Sequence, residues 1–551
     1  MERLKVMAVC LAIFTIVLIS ALSHAAAPNL IRNPSFEQED EYDSTLPRGW
    51  CRLQSGPNNM FVDKSTSHSG KASMCIISNP DVGTAWATKW IFNLDKGRQY
   101  KFTVYTKWNG VGDGCSVKIY AAPYPMRWGI GRKGKLLFEK VYKNKEWKKH
   151  EANFSMPDDM NILAIYINPE PWKTSNVRVW VDDVSLHALG KAPPKSSKIT
   201  KPRVYRRRPK IEIDKTSHAI LLDGKPFLPI GIAHPKDKAG VKAVKAQGFN
   251  TVWLVQDSVH LLDDVYDAGM YAYVDFSLLT DMRAWDEIRR QVSVYKHNPA
   301  VLGWQPKDEP DQKSIAAVQK ACEIIRKADP SRPIIINAAN PRTFSALAKI
   351  TDILMSCAYP IKTHSARLTQ DTDWMDLAAE AVGYKKPIWW WIQAYEWKGD
   401  GRILPTVAQE RCMTYLAVIH GVKGLFYFSY PSMKRREKPA LWNSFKSLTA
   451  ELKQLAPIIL AATPKQEITV TPTGSGLHYL LKEYQGRKYI FAANPGTEKV
   501  RATFTLPKLK KGFRLSVLFE NRKAPRVTAS SFTDAFEGYE VHVYEIGHNQ
   551  E

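Results

Sequence analysis

Between Ile211 and Tyr430, short continuous apolar runs alternate with amphipathic stretches, and no other feature of the chain constrains its fold as strongly. The runs are Leu228–Ala233, Thr251–Gln256, Tyr271–Phe276, Val301–Gln305, Pro333–Asn337, Ile353–Ala358, Pro387–Gln393 and Gly424–Ser429. Helical patterns lie between them, as in Ala284–Tyr295, Ser314–Ala328 and Val407–His420. Strands that are apolar on both faces and separated by helices indicate a parallel sheet. Eight such units in about 220 residues predict a closed (β/α)8 TIM barrel rather than an open sheet.

In such a barrel the active site collects where the strands end. The polar residues after each run are His234, Gln256 and Asp257, Asp275, Lys307-Asp308-Glu309-Pro310, Asn337 and Asn340, Tyr359, Gln393 with Tyr395 and Glu396, and Ser429 with Tyr430. Carboxylates and amides bond hydroxyl groups, and Trp304, Trp391, Trp397 and Tyr430 offer flat faces to sugar rings. A polyhydroxylated substrate suits this mouth. Cleaving a glycosidic bond usually takes two carboxyl groups, one protonated and one ionised. Glu309 is the first candidate, and a raised pKa would let it act as acid.

Trp304-Gln305-Pro306-Lys307-Asp308-Glu309-Pro310, Asp352-Ile353-Leu354-Met355-Ser356-Cys357-Ala358-Tyr359-Pro360 and Gly421–Tyr430 resemble the fourth, sixth and eighth strand segments of clan A glycoside hydrolases. The resemblance spans the barrel at the level of the clan. It implies that Glu309 is the acid/base, with Tyr359 near the nucleophile; by their places at or near the strand ends, His234, Asp275, Trp304, Asp308, Asn337, Trp391, Gln393 and Tyr430 are expected around the substrate. Two departures stand out. Asp308 occupies a position that is usually Asn in the clan. On strand seven, Gln393 stands where the nucleophilic Glu is expected, and an amide cannot form a glycosyl ester. Glu396 is then the leading second carboxyl, with Asp275 and Asp400 as alternatives. A separation of about 5–5.5 Å would mean retention and one of about 6.5–9.5 Å inversion; the sequence leaves both open. No organic cofactor is expected for catalysis.

The chain has 551 residues, enough for three or four domains. Arg3 and Lys5, the apolar run Val6–Leu22 and then Ser23-His24-Ala25 form the pattern of a secretory signal peptide over residues 1–25. A membrane anchor is the alternative. After cleavage no membrane span is expected, and the protein would be extracellular or periplasmic. Export permits disulfides without requiring them. Cys51, Cys75 and Cys115 allow at most one pair in the first domain, and buried free thiols are expected at Cys357 and Cys412.

Residues 28–190 show short strands separated by turn residues, which predicts a β-sandwich. Asn29-Leu30-Ile31-Arg32-Asn33-Pro34-Ser35-Phe36-Glu37 and Trp180-Val181-Asp182-Asp183-Val184-Ser185-Leu186 resemble the first and last strands of jelly-roll carbohydrate-binding modules. That resemblance implies a structural Ca2+ held by Glu37 and Asp183, a hard ion on oxygen ligands. Trp86, Trp90, Trp108, Tyr124, Trp128 and Trp172 are candidates for sugar stacking.

Residues 191–212 form a linker, basic and rich in Pro. Of residues 191–210, nine are Lys or Arg and none is acidic. Either it tethers an anionic polymer through Arg206, Arg207 and Arg208, or it is a solvated spacer. Residues 213–460 form the barrel, and 461–548 an antiparallel β-sandwich. Lys plus Arg exceeds Asp plus Glu by 24, which favours acidic partners. Specific nucleic-acid binding is not expected, since no recognition motif accompanies the charge. Gly129-Ile130-Gly131-Arg132-Lys133-Gly134 has dinucleotide-loop spacing but lacks the strand-then-helix setting. The functional expectation is a secreted glycoside hydrolase acting on a polysaccharide through Glu309 and Glu396. The alternative is a sugar-binding protein on a degenerate barrel.

Overall fold

The computed structural model describes residues 28–547 except 41–43, 54–58, 80–82, 85, 111–112, 124–133, 171–176, 191–202, 206, 364–365, 398–402, 431–438, 464–467 and 508–512. The signal segment, Tyr124, Trp128, Trp172, Asp400, Arg206, most of the Gly129–Gly134 loop and most of the linker therefore lie outside the described residues, as does the side chain of Trp86. The chain divides into two compact units, residues 1–200 and 201–551.

The first unit is an antiparallel sandwich. One sheet runs Cys51–Leu53, Trp86–Ile91, Ile162–Glu170, Gly114–Ala122, Lys135–Tyr142 in spatial order. The other runs Met60–Asp63, Ser73–Asn79, Val177–Ala188, Gln99–Gly110, Lys148–Ser155. Alternation decides the faces. Tyr100, Phe102 and Val104 point into the core with Leu163, Ile165 and Ile167 from the opposite sheet. All six described cysteines are buried free thiols.

The second unit holds the barrel. Its strands are β1 (Ile230–Ala233), β2 (Thr251–Val255), β3 (Tyr271–Asp275), β4 (Val301–Gln305), β5 (Ile335–Ala338), β6 (Ile353–Ser356), β7 (Ile388–Gln393) and β8 (Gly424–Phe428). They are parallel, in the order 4-3-2-1-8-7-6-5. The ring closes between β4 and β5 through single bridges, Trp304 to Ile334 and Asp308 to Asn337. The interior is unusually aromatic: Trp253, Tyr273, Trp389, Trp391 and Phe426 fill it. Gly231 makes room for this filling. A Cβ there would lie 2.1 Å from the Phe426 ring.

A three-stranded antiparallel sheet, Ile211–Ile213, Ile220–Leu222 and Lys225–Phe227, packs against the same core. The sequence did not reveal it, because three-residue strands are too short to show a period.

The described end of the linker pairs with carboxylates of the chain that follows it. Arg203 pairs with Asp267, Arg207 with Asp223 and Arg208 with Asp329, and the Tyr205 hydroxyl donates to Asp263. The Arg208–Asp329 pair is the most buried, at 2.6 Å with Asp329 only 2% exposed. Asp329 also accepts from the Trp304 indole. Arg208→Ala leaves that carboxylate buried with Arg332 as its remaining cation, and should cost about 3 kcal/mol in urea unfolding.

The helix Val407–Ile419 (α1) is buried on almost every side. Its inner side packs on β7. Its outer side packs on the C-terminal sandwich, whose sheets contain Thr469–Thr471, Val500–Thr505, Ser531–Phe536 and Val527–Thr528, and His478–Tyr484, Arg487–Ala493, Val541–Gly547 and Arg514–Leu518. Arg411 donates to the Val541 carbonyl at 2.8 Å, Cys412 to the Asn494 carbonyl and Tyr539 to the Ala366 carbonyl. Among the described residues no helix is long and apolar enough to cross a membrane.

Candidate active site at the barrel mouth

The β4–β5 seam positions the site. Chain leaving β4 turns through Pro306–Pro310, and Glu309 adopts the left-handed conformation at φ 46°. That turn lets the Glu309 N–H donate to the Asn337 carbonyl at 2.9 Å. His234 and Tyr359 are also left-handed, at φ 64° and 52°. Non-glycine residues in this region are uncommon, and three of them at strand ends mark backbone held by its surroundings.

Asp308 turns into the seam and Glu309 stays exposed. Asn337 Nδ2 donates to Asp308 Oδ1 at 2.8 Å, and Gln305 Nε2 donates to the same atom at 3.1 Å. Gln305 Nε2 also reaches Asp275 Oδ1 at 3.2 Å. The Ser277 hydroxyl donates to Asp275 at 2.5 Å and accepts the Asp308 N–H at 2.6 Å. The Cys357 thiol points at Glu309 Oε1, 3.7 Å away. Asp275, Asp308, Glu309 and Asn337 thus form one cluster.

Burial, then the Asp275 and Glu309 charges, push the Asp308 carboxyl up to about 8. Burial pushes Asp275 up to about 6, against the pull of its Ser277 and Gln305 bonds and of Lys307. Lys307 is tied to Asp281 at 2.6 Å. Burial also raises the phenols of Tyr359 and Tyr395 and the thiol of Cys357, so all three are neutral hydrogen-bonding groups near pH 7.

An aromatic wall faces this cluster. His234 packs on Trp253 at 4.8 Å and on Phe428 at 5.4 Å, and Tyr359 meets Tyr395 edge-on at 5.1 Å. Behind Tyr359, the buried Asp371 carboxyl holds the Ala358 backbone and the Trp390 indole in place.

Other residues expected at the mouth differ in burial. Trp304 points away from the axis, stacks on Phe276 and is fully buried. Trp391 lies within the barrel core, 1% exposed. Gln393 is fully buried, with its amide clipped to both the N–H and the carbonyl of Ile361 at 2.8 and 2.9 Å. These three have no face or group left to offer a ligand. Tyr430 is nearly buried against Trp442. Glu396 is half-buried, between Tyr395 and Trp397, and Lys362 lies over the Trp397 ring. Gln305, Ser277 and Cys357 belong to the cluster and were missed. The available signal was Gln305 as the last, inward residue of its strand.

On the sandwich, Trp90, Tyr166 and Tyr120 form an edge-to-face cluster on the outer face of the five-stranded sheet, with ring centroids 6.2 and 5.7 Å apart. Lys118 and Glu139 pair beside it at 2.8 Å. Trp108 instead packs against the sandwich core. Glu37 Oε1 accepts the N–H groups of Lys71 and Ala72. Asp183 accepts from Ser35, Ser69 and the His68 ring. Among the described residues no group of three or more His, Cys, Asp or Glu side chains comes together that could hold a metal ion.

Residues 28–175 match the family model described as a carbohydrate binding domain. The sandwich resembles that family. No curated protein matches the chain. Solved structures that it resembles are glycoside hydrolases. A family 5 glycoside hydrolase from Bacteroides vulgatus is 12% identical with a TM-score of 0.46, covering 62% of this chain and 94% of that one. The α-amylase of Geobacillus thermoleovorans, complexed with acarbose, is 11% identical with a TM-score of 0.42, covering 57% and 92%. A GH2 β-galacturonidase from Eisenbergiella tayi is 12% identical with a TM-score of 0.37, covering 74% and 97%.

Proposed function

We propose that the chain is a secreted, modular glycoside hydrolase that cleaves O-glycosidic bonds in a polysaccharide. The carrying observation is the carboxyl cluster at the barrel mouth, where exposed Glu309 stands beside the Asp275–Asp308 pair. Two carboxyl groups in different environments are what glycoside hydrolysis asks of a site. The aromatic wall supplies apolar faces for sugar rings, and no organic cofactor is required. A screen of the purified protein against a polysaccharide panel, with product analysis, tests the reading. Absence of any cleavage product alongside retained binding would favour the non-catalytic alternative, which the buried Gln393 at the end of β7 supports.

The N-terminal sandwich would hold the polysaccharide near the enzyme through its Trp90–Tyr120–Tyr166 face. Trp90→Ala should weaken binding to the cleaved polysaccharide about tenfold, roughly the worth of one aromatic contact. Affinity electrophoresis reads that loss, and barrel activity on short soluble substrates should be unchanged. The charge of +24 favours sulfated or uronate-rich chains. Turnover indifferent to salt would count against an anionic substrate.

A further inference from the structure

The cluster at the seam is short of hydrogen-bond donors. Gln305 spends its amide N–H groups on Asp275 and Asp308, and Asn337 donates to Asp308. The oxygens of the same amides, Gln305 Oε1 and Asn337 Oδ1, are buried without a donor among the described residues. Rotating either amide by half a turn would only aim its oxygen at carboxylate oxygens. Ser277 cannot make up the deficit, because its hydroxyl hydrogen already goes to Asp275. One added proton on the carboxyl pair supplies one of the two missing donors.

We infer that Asp275 and Asp308 share one proton at neutral pH, and that Asp308 is the acid partner of Glu309 in the proposed hydrolysis. The inference rests on the glycoside hydrolase reading for its second half only. Two carboxylates bridged by one amide and removed from water cannot both ionise cheaply. Burial raises both carboxyls, Asp275 to about 6 and Asp308, which also feels the Asp275 charge, to about 8. The groups facing the pair are Lys307, Glu309, the Tyr273 and Tyr359 phenols and the Cys357 thiol. The Ser277, Gln305 and Asn337 hydrogen bonds and Lys307 pull the proton off, and Asp281 neutralises Lys307.

In the step, the Asp308 O–H proton goes to the leaving glycosidic oxygen as its bond to the anomeric carbon breaks. Water forms the new bond to that carbon and gives its proton to the exposed Glu309 carboxylate. Solvent then returns a proton from Glu309 to the Asp pair. This exchanges the roles that the sequence resemblance implies, in which Glu309 is the acid.

The shared proton is tested without substrate. The infrared difference spectrum between the wild-type protein and Asp308→Asn at pH 7 should show a carboxylic-acid carbonyl band lost in the variant. Other buried acids, such as Asp371, cancel in the difference. No such band overturns the proposal and leaves the hydrolase reading standing.

The acid role is tested with leaving groups, on dinitrophenyl and alkyl glycosides of the sugar released in the panel screen. Asp308→Asn should lose about 10²–10⁴-fold on the alkyl glycoside, whose departure needs a proton, and under about tenfold on the dinitrophenyl one. Glu309→Gln should slow both alike. Equal losses on both substrates in Asp308→Asn, or leaving-group selectivity in Glu309→Gln instead, overturn the assignment. Asp275→Asn keeps the acid but removes its repelling neighbour, so the alkaline limb of the pH–rate profile should move to lower pH. An unmoved limb contradicts the shared proton. A wild-type protein that cleaves neither glycoside removes the acid role together with the hydrolase reading, while the band still reports the proton.

Discussion

Glu309→Gln is expected to lower turnover about 10²–10⁴-fold while leaving the melting transition and polysaccharide binding unchanged. The side chain is exposed at the strand end and bears no packing load, so its loss opens no cavity. Its backbone N–H bond to Asn337 survives the change, because a side-chain amide does not alter the turn. A structural role would show itself differently, as a fall in stability with activity lost in proportion. Steady-state kinetics on the cleaved polysaccharide, paired with a thermal melt, separates the two. A variant with full activity would remove Glu309 from the chemistry.

Trp389→Ala should be the most destabilising single change in the barrel, at about 3–5 kcal/mol. The indole is fully buried at the barrel centre, stacked on Phe426 at 5.1 Å and near Tyr273 at 6.2 Å. Gly424 is cut to fit it, since a Cβ there would lie 2.6 Å from the ring. Strands around a closed ring collapse poorly into a void, so most of the cavity would persist. That loss is a large share of an ordinary domain's stability, about 5–15 kcal/mol. Trp389→Phe is the informative control. The indole N–H has no acceptor among the described residues, so the smaller ring forfeits volume but no hydrogen bond, and should cost under about 1.5 kcal/mol. Urea unfolding followed by circular dichroism measures both.

The barrel was legible because its strands are buried on both faces and so read as unbroken apolar runs. Glu309 was legible because it follows one of them. The partnership of Asp308, Gln305 and Asn337 was not. It forms across the seam, where two segments 29 residues apart meet and a left-handed turn chooses which of two adjacent carboxyls faces inward. Trp304 was misplaced for a related reason. Whether a strand residue faces the axis depends on pleat phase, and the β3–β4 register slips between Ala272 and Tyr273. The amide at Gln393 gave no sign of its real role, because Ile361, which it clamps, precedes it by 32 residues. The linker arginines were read as unpaired charge, since Asp223, Asp267 and Asp329 lie well downstream.

Helices around a barrel ordinarily keep a wet side, but α1 has almost none. Tyr415 lies 6.4 Å from Phe491 of the sandwich, and Cys412 donates to Asn494. Removing the C-terminal sandwich would therefore expose Cys412 and Tyr415 of this helix to water. Any cousin of this barrel that lacks the sandwich should carry charged residues at the positions of Cys412 and Tyr415.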